Sequence, residues 1–315
     1  MRSVAEPRPP EPLNRVVEPR PAEPLHRVAG PASPSVAAPA PVPSFGRFSP
    51  AALAAYYRRQ LASSLAANLA YRGAVAIWVL TSIIQPLVFI VVWRTVAGSG
   101  STGGYTAAQF VAYFLVMMVV DHLTFIWHMW EFEYRIRNGT FSPLLLRPVH
   151  PIHNDVCENV SYKLVGLVGI LPAAVLLAVV FDADLSGTSL AAVVAFLPAV
   201  GLAMVLRFVV EWCVALSAFW LTKVAAMNTV FFSLFTFLGG QFAPLQVLPA
   251  WMQTLAAWTP FPWTLAFPVE VLLGRRTGAE LVLGYAAQLG WIVVALLALR
   301  LLWTRATRRY SAVGT

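Results

Sequence analysis

Residues 73–96 read GAVAIWVLTSIIQPLVFIVVWRTV, twenty-four positions whose one charged side chain is Arg94. A helix built on them is predominantly apolar and is long enough to cross a bilayer, which needs roughly 20 apolar residues. Pro86 falls inside the run, and neighbouring helices can satisfy the carbonyl it frees. One such segment could be an anchor. Here the whole chain follows suit, with 58% hydrophobic residues, 11% charged residues and a mean hydropathy of +0.69 over 315 residues. That is more apolar surface than one soluble core can bury.

On the C-terminal side, 98–104 (GSGSTGG) is a short turn and a second span follows at 108–130. Further spans are expected at 164–181, 190–221, 227–238 and 281–303, giving six. On the N-terminal side, 49–71 reads as an amphipathic helix capped by Ser49 with Pro50 at its first position, where Arg58 and Arg59 alternate with Leu53, Tyr57, Leu61 and Leu65. Such a helix would lie along the headgroups. Residues 1–48 are rich in proline and carry a near-repeat, EPRPPEPLNRV at 6–16 and EPRPAEPLHRV at 18–28. They are expected to be disordered, and lacking an apolar core they do not read as a signal peptide. The chain thus divides into a proline-rich extension, 1–48, and a membrane domain, 49–311.

The formal charge of +8 does not imply a nucleic-acid partner, because the basic residues lie between spans instead of on one face of a soluble module. Arg58, Arg59, Arg72, Arg135, Arg137, Arg147, Lys163, Lys223, Arg305, Arg308 and Arg309 would fall inside; Arg275 and Arg276 would fall outside, with Arg94 at the outer edge. Eleven against three orients the chain with both termini in the cytoplasm of a bacterial inner membrane. Cys157 and Cys213, in different settings, suggest neither a disulfide nor a metal site.

Three stretches together resemble the permease subunits of ABC type 2 exporters. They are Tyr71-Arg72 with Val92-Trp93-Arg94 around the first span, IRNGTFSPLLLRP at 136–148, and GGQFAPL at 239–245 running on through LPAWM at 248–252. The resemblance implies an all-α fold of six membrane helices, a separate ATPase subunit that binds ATP and Mg, and a second permease subunit, identical or paralogous. It also implies a coupling segment at Arg135, Arg137, Gly139, Leu144, Leu145, Leu146, Arg147 and Pro148, and an extracellular re-entrant segment at 239–280. The residues suit coupling: Gly139 can end a helix, Ser142-Pro143 can start another, and three leucines flanked by arginines form an apolar knob.

Within the spans, Asp121, Thr124, His128 and Glu131 recur at helical spacing and would share one face. They could line a substrate path, form a subunit seam or pack internally. A metal held by His128 and Glu131 would lack matching ligands elsewhere in the spans. Arg207 and Glu211, four apart, would pair on one helix face. No GxxxxGK[ST], GxSxG, HExxH or CxxC motif occurs. An enzyme would have to rest on the Asp121 face or on His150 and His153. The alternative transport class, a proton-coupled secondary transporter, would use Asp121 but predicts repeats that the sequence lacks. No cofactor of its own is expected.

Overall fold

The computed structural model describes residues 49–309 except Thr222, so the proline-rich extension and the last residues of the predicted membrane domain lie outside the described residues. In chain order the helices are α1 (Pro50–Ala70), α2 (Arg72–Ala97), α3 (Ala107–Thr124), α4 (His128–Arg137), α5 (Ser142–Leu145), α6 (Pro151–Val180) and α7 (Leu190–Ala215). They continue with α8 (Ala225–Leu238), α9 (Ala250–Ala257), α10 (Phe261–Thr264), α11 (Ala266–Leu272) and α12 (Gly278–Arg309). A small antiparallel hairpin, β1 (Ser101–Thr102) and β2 (Tyr105–Thr106), joins α2 to α3. Its end of the molecule is called the hairpin end below, and the end carrying α4 and α5 the basal end.

Among the described residues, five helical segments are long and apolar enough to cross a membrane: Gly73–Ala97, Ala107–Arg137, Pro151–Val180, Leu190–Phe219 and Gly278–Arg309. The predicted fifth span corresponds to α8, whose 14 residues make about 21 Å of helix against a hydrocarbon core of about 30 Å. Its flanks extend that reach. Before α8, the Val224 amide donates to Glu133 Oε2 at 3.2 Å, and beyond it the Tyr113 hydroxyl donates to Gly240 O at 2.8 Å.

Helix α3 is the centre. A capping box starts it, the Gln109 amide donating to Thr106 Oγ1 and the Thr106 amide to Gln109 Oε1. It packs against α2, α6, α7 and α11, and Phe110, Val111, Tyr113, Phe114 and Met117 are almost wholly buried. Helix α2 is the reverse. It turns Ile77, Leu80, Ile84, Val88 and Val91 outward, each more than half exposed. Such an apolar exterior is stable only in lipid.

Helix α1 is capped by Ser49, whose Oγ accepts the Ala52 amide at 3.2 Å. Its packed face is more polar than an apolar stripe. The Tyr57 hydroxyl and His153 Nδ1 lie 2.7 Å apart, and Asn68 Nδ2 donates to Ser161 Oγ at 2.9 Å, so α1 runs alongside the first half of α6. Between α8 and α12 the chain breaks where its prolines require: Pro249 precedes α9, Pro260 precedes α10, and Pro262 lies within α10's first turn. Helices α10 and α11 pack on α7, and Phe267 presses so close to Gly284 of α12 that a Cβ there would overlap its ring. Trp251 and Trp258 stay largely exposed, as interfacial tryptophans do.

Candidate functional site

The four polar residues expected to share one face are divided between two networks, because the helix stops at Thr124 and restarts at His128. No proline or glycine causes the break. Thr124 Oγ1 turns back to Val120 O at 2.9 Å, and Asn159 Nδ2 of α6 donates to Phe125 O at 3.1 Å, taking over a carbonyl that the helix would otherwise use.

Above the break lies the Arg207 network. Its guanidinium donates through Nε to Glu211 Oε1 at 2.6 Å and through a terminal nitrogen to Asp121 Oδ1 at 2.7 Å and Thr124 Oγ1 at 2.9 Å. The expected Arg207–Glu211 pair therefore exists, and Asp121 and Thr124 join it from α3. The Phe235 ring covers the guanidinium, its centroid 4.2 Å away. Arg207 and Glu211 are buried, whereas the Asp121 side chain keeps 28% of its exposure.

Below the break lies the basal hub, centred on Arg135. One guanidinium reaches Asp155 Oδ1 at 2.7 Å, Glu131 Oε1 at 2.7 Å and Glu158 Oε2 at 3.1 Å. Trp212 Nε1 donates to the other Asp155 oxygen at 2.9 Å. His128 Nε2 is 3.7 Å from Asp155, and neither ring nitrogen has a hydrogen-bond partner although the ring is fully buried. Asp155 and Glu158 lie outside the spans expected from the sequence, within which His128 and Glu131 have no matching ligands. Their spacing along one helical turn beside Asn154 and Asn159 was the available signal. One ligand atom from each of His128, Asp155 and Glu158 lies within 4.8 Å of the others, a spacing a divalent cation could use. A cation there would have to compete with the guanidinium that already holds both carboxylates.

The predicted coupling residues are built onto this hub. Arg135 is buried within it, while its carbonyl accepts the Phe141 amide at 3.1 Å. The chain reverses at Gly139, whose φ of 69° suits glycine. Phe141 is fully buried among Phe132, Trp212, Phe219 and Trp303. Leu144 and Leu145 also pack against that cluster, whereas Leu146 is 87% exposed and Arg147 and Pro148 are exposed beside it. Arg137 is exposed and pairs with Glu133 at 3.2 Å. His150 then caps α6, its Nδ1 accepting the Ile152 amide at 3.2 Å. Burial, aided by the charge of nearby His153, pushes the His150 pKa down to about 4, which keeps the ring in the neutral form that can accept this bond.

At the hairpin end, Glu270 is almost fully buried and accepts from Gln246 Nε2 at 2.7 Å and Arg276 Nε at 2.6 Å. Arg275 lies over the Tyr105 ring, 3.6 Å from its centroid, and donates to Gly104 O and Gln109 Oε1. Two of the three arginines that opposed the charge tally, Arg275 and Arg276, therefore have internal partners.

Finally, a cavity of about 190 Å³ opens between α2, α3 and α6 at mid-length, floored by Asp121 and His122 and bordered by Gln85, Gln241 and the aromatic side chains of Trp78 and Tyr162.

Long apolar helices, buried networks of charged side chains and a polar cavity bordered by the spans together fit a membrane transport protein. A family model described as ABC-2 family transporter protein matches residues 77–314, and the chain belongs to that family. It is a transmembrane permease of the ABC transporter class. No curated protein and no solved structure matches the chain.

Proposed function

We propose that this chain is the membrane subunit of an exporter, driven by a separate ATPase that binds ATP and Mg, and that it works with a second permease subunit, identical or paralogous. The observation that carries the reading is Leu146, 87% exposed on a short turn whose root is fixed by Arg135 and Phe141. An apolar knob on a rigid base can enter a cleft on a partner and pass on its movement. Arg137, Arg147 and Pro148 would surround the contact. Arg135, Gly139, Leu144 and Leu145 would hold its shape from behind.

The basal end is then cytoplasmic, in the inner membrane. Helix α8 is the sixth crossing: it joins the residue next to Glu133 at the basal end to the turn held by Tyr113 near the hairpin end. Six crossings put both termini in the cytoplasm. The broken helices α9 to α11 form an extracellular re-entrant segment, with protein covering their irregular backbone. Asp121, Thr124, Arg207 and Glu211 line or brace the path, and His128 and Glu131 secure its cytoplasmic end. The chain has no ATPase site of its own.

The test is purification from the native membrane in mild detergent. The expected result is an ATPase subunit that accompanies the wild-type chain and is lost with Leu146→Asp. Retention of the ATPase by that variant would refute the coupling assignment. Transport that persists without ATP but collapses with the proton gradient would replace the reading with a secondary transporter.

A further inference from the structure

The cavity between α2, α3 and α6 combines three features that select a ligand chemistry. The first is its position. Trp78, Thr81, Ser82, Gln85 and Phe89 follow one another at helical spacing on α2 and all line it, on a helix that otherwise turns aliphatic side chains outward. Gln85 is an exposed carboxamide inside a membrane span, and a polar group there is costly unless something polar meets it.

The second feature is a group of acceptors in its lining, beside the carboxamides of Gln85 and Gln241, which can both accept and donate. The Thr81 and Ser82 hydroxyls donate their protons to Ile77 O and Trp78 O of their own helix, each at 2.9 Å, so only lone pairs remain. Asp121 uses one carboxylate oxygen for Arg207 and has a second. His122 Nε2 lies 3.1 Å from Lys163 O; a carbonyl cannot donate, so Nε2 carries the proton and Nδ1 is left as an acceptor. Lysine and arginine are absent from the lining.

The third feature is its aromatic wall. Trp78, Phe89, Phe114, Phe125 and Tyr162 surround the polar groups, and the faces of aromatic rings attract cations. Behind the floor, Arg207 is held by Asp121 and Glu211 together, with the buried Lys163 nearby, and of these four charged residues Asp121 alone lines the cavity.

We propose that this cavity is the head-group site for transported amphiphiles that carry a protonated amine, the N–H donors meeting Asp121, Thr81, Ser82 and Gln85 while the apolar body lies along the outer face of α2. A volume of about 190 Å³ is below the ~300–1,000 Å³ of sites that enclose a whole drug-sized ligand, so it suits the head and leaves the body outside. The inference rests on the permease reading and assigns its substrate class.

The test measures equilibrium binding of hexylammonium to the full chain in lipid nanodiscs, with empty nanodiscs subtracted and hexanoate and hexyltrimethylammonium as competitors. Saturable binding of hexylammonium is expected, with no competition from hexanoate and at least about tenfold weaker competition from the trimethyl analogue, which lacks N–H donors. Gln85→Leu, at an exposed position, and Asp121→Asn should each weaken binding about tenfold. Equal competition by hexanoate or by the trimethyl compound would overturn the proposal, as would wild-type binding by Gln85→Leu in a normally folded protein. Because the ATPase is absent from this assay, failure here leaves the Leu146 result standing. Loss of the ATPase contact likewise leaves amine binding measurable.

Discussion

The two ends of the molecule each bury an arginine–carboxylate hub, and they are balanced differently. At the hairpin end one carboxylate, Glu270, receives two donors, and the neighbouring Arg275 lies over the Tyr105 ring and donates to Gly104 O and Gln109 Oε1. At the basal end one guanidinium serves Glu131, Asp155 and Glu158, and His128 stands beside them without a partner. The first closes on itself. The second carries two formal negative charges more than its single cation offsets, in a setting where charge is weakly screened. A cluster so balanced holds its elements firmly yet can exchange partners at lower cost than a closed one, and it is this cluster that bears the exposed leucine turn.

The largest expected effect comes from removing the shared cation. Arg135→Ala should cost about 3–5 kcal/mol, because it strands three carboxylates, one of them fully buried. Thermal unfolding in detergent would register this as a steep drop in midpoint. Arg135→Lys should recover only part, since one ammonium cannot span three acceptors as the planar guanidinium does. A loss below about 1 kcal/mol for the alanine variant would mean that the hub is not the anchor of the basal end.

Arg276→Ala should cost less, about 1–3 kcal/mol. Glu270 keeps its bond from Gln246, and the arginine is itself one-third exposed, so water can replace part of what is lost. If this variant proved as damaging as Arg135→Ala, the contrast between the two ends would fail.

How much of this could be read beforehand differs by element. The apolar runs disclosed the membrane helices because lipid demands a continuous stretch, and the capping of α1 by Ser49 followed from local chemistry. Arg207 and Glu211 were legible as a pair because they lie four apart on one helix. The helix break at Phe125 was not, since its cause, Asn159, sits 34 residues away. Nor was the burial of Arg135. A basic residue in a polar loop reads as exposed until Asp155 and Glu158, on another helix, are brought to it. Helix α8 has 14 residues and its flanks are tied to Glu133 and Tyr113, contacts that composition alone does not reveal.

Acid should distinguish the ends next. His150 is neutral in the folded chain with a pKa pushed down to about 4, against about 6.5 when unfolded. The unfolded state therefore binds the extra proton first as pH falls. Stability contributed by this residue is full above about pH 6.5 and declines progressively toward pH 4. The cap it forms is worth about 1 kcal/mol. Thermal midpoints at pH 7.5 and 5 should differ less in His150→Asn, which can keep the cap without titrating, than in the wild type. An unchanged pH response in that variant would remove His150 as the cause.

The smallest effect on stability is expected at the residue proposed to matter most for function. Leu146 is largely exposed, so Leu146→Asp should move the thermal midpoint by no more than a surface change does, within about 0.5 kcal/mol. Leu144→Asp, although adjacent, should be far more damaging, because Leu144 packs against the cluster around Phe141. Comparing the pair separates two ways of losing an ATPase partner. Loss in both variants with normal folding only at position 146 places the contact on the knob itself; loss only at position 144 would mean that the basal fold, and not the exposed leucine, is what the partner requires.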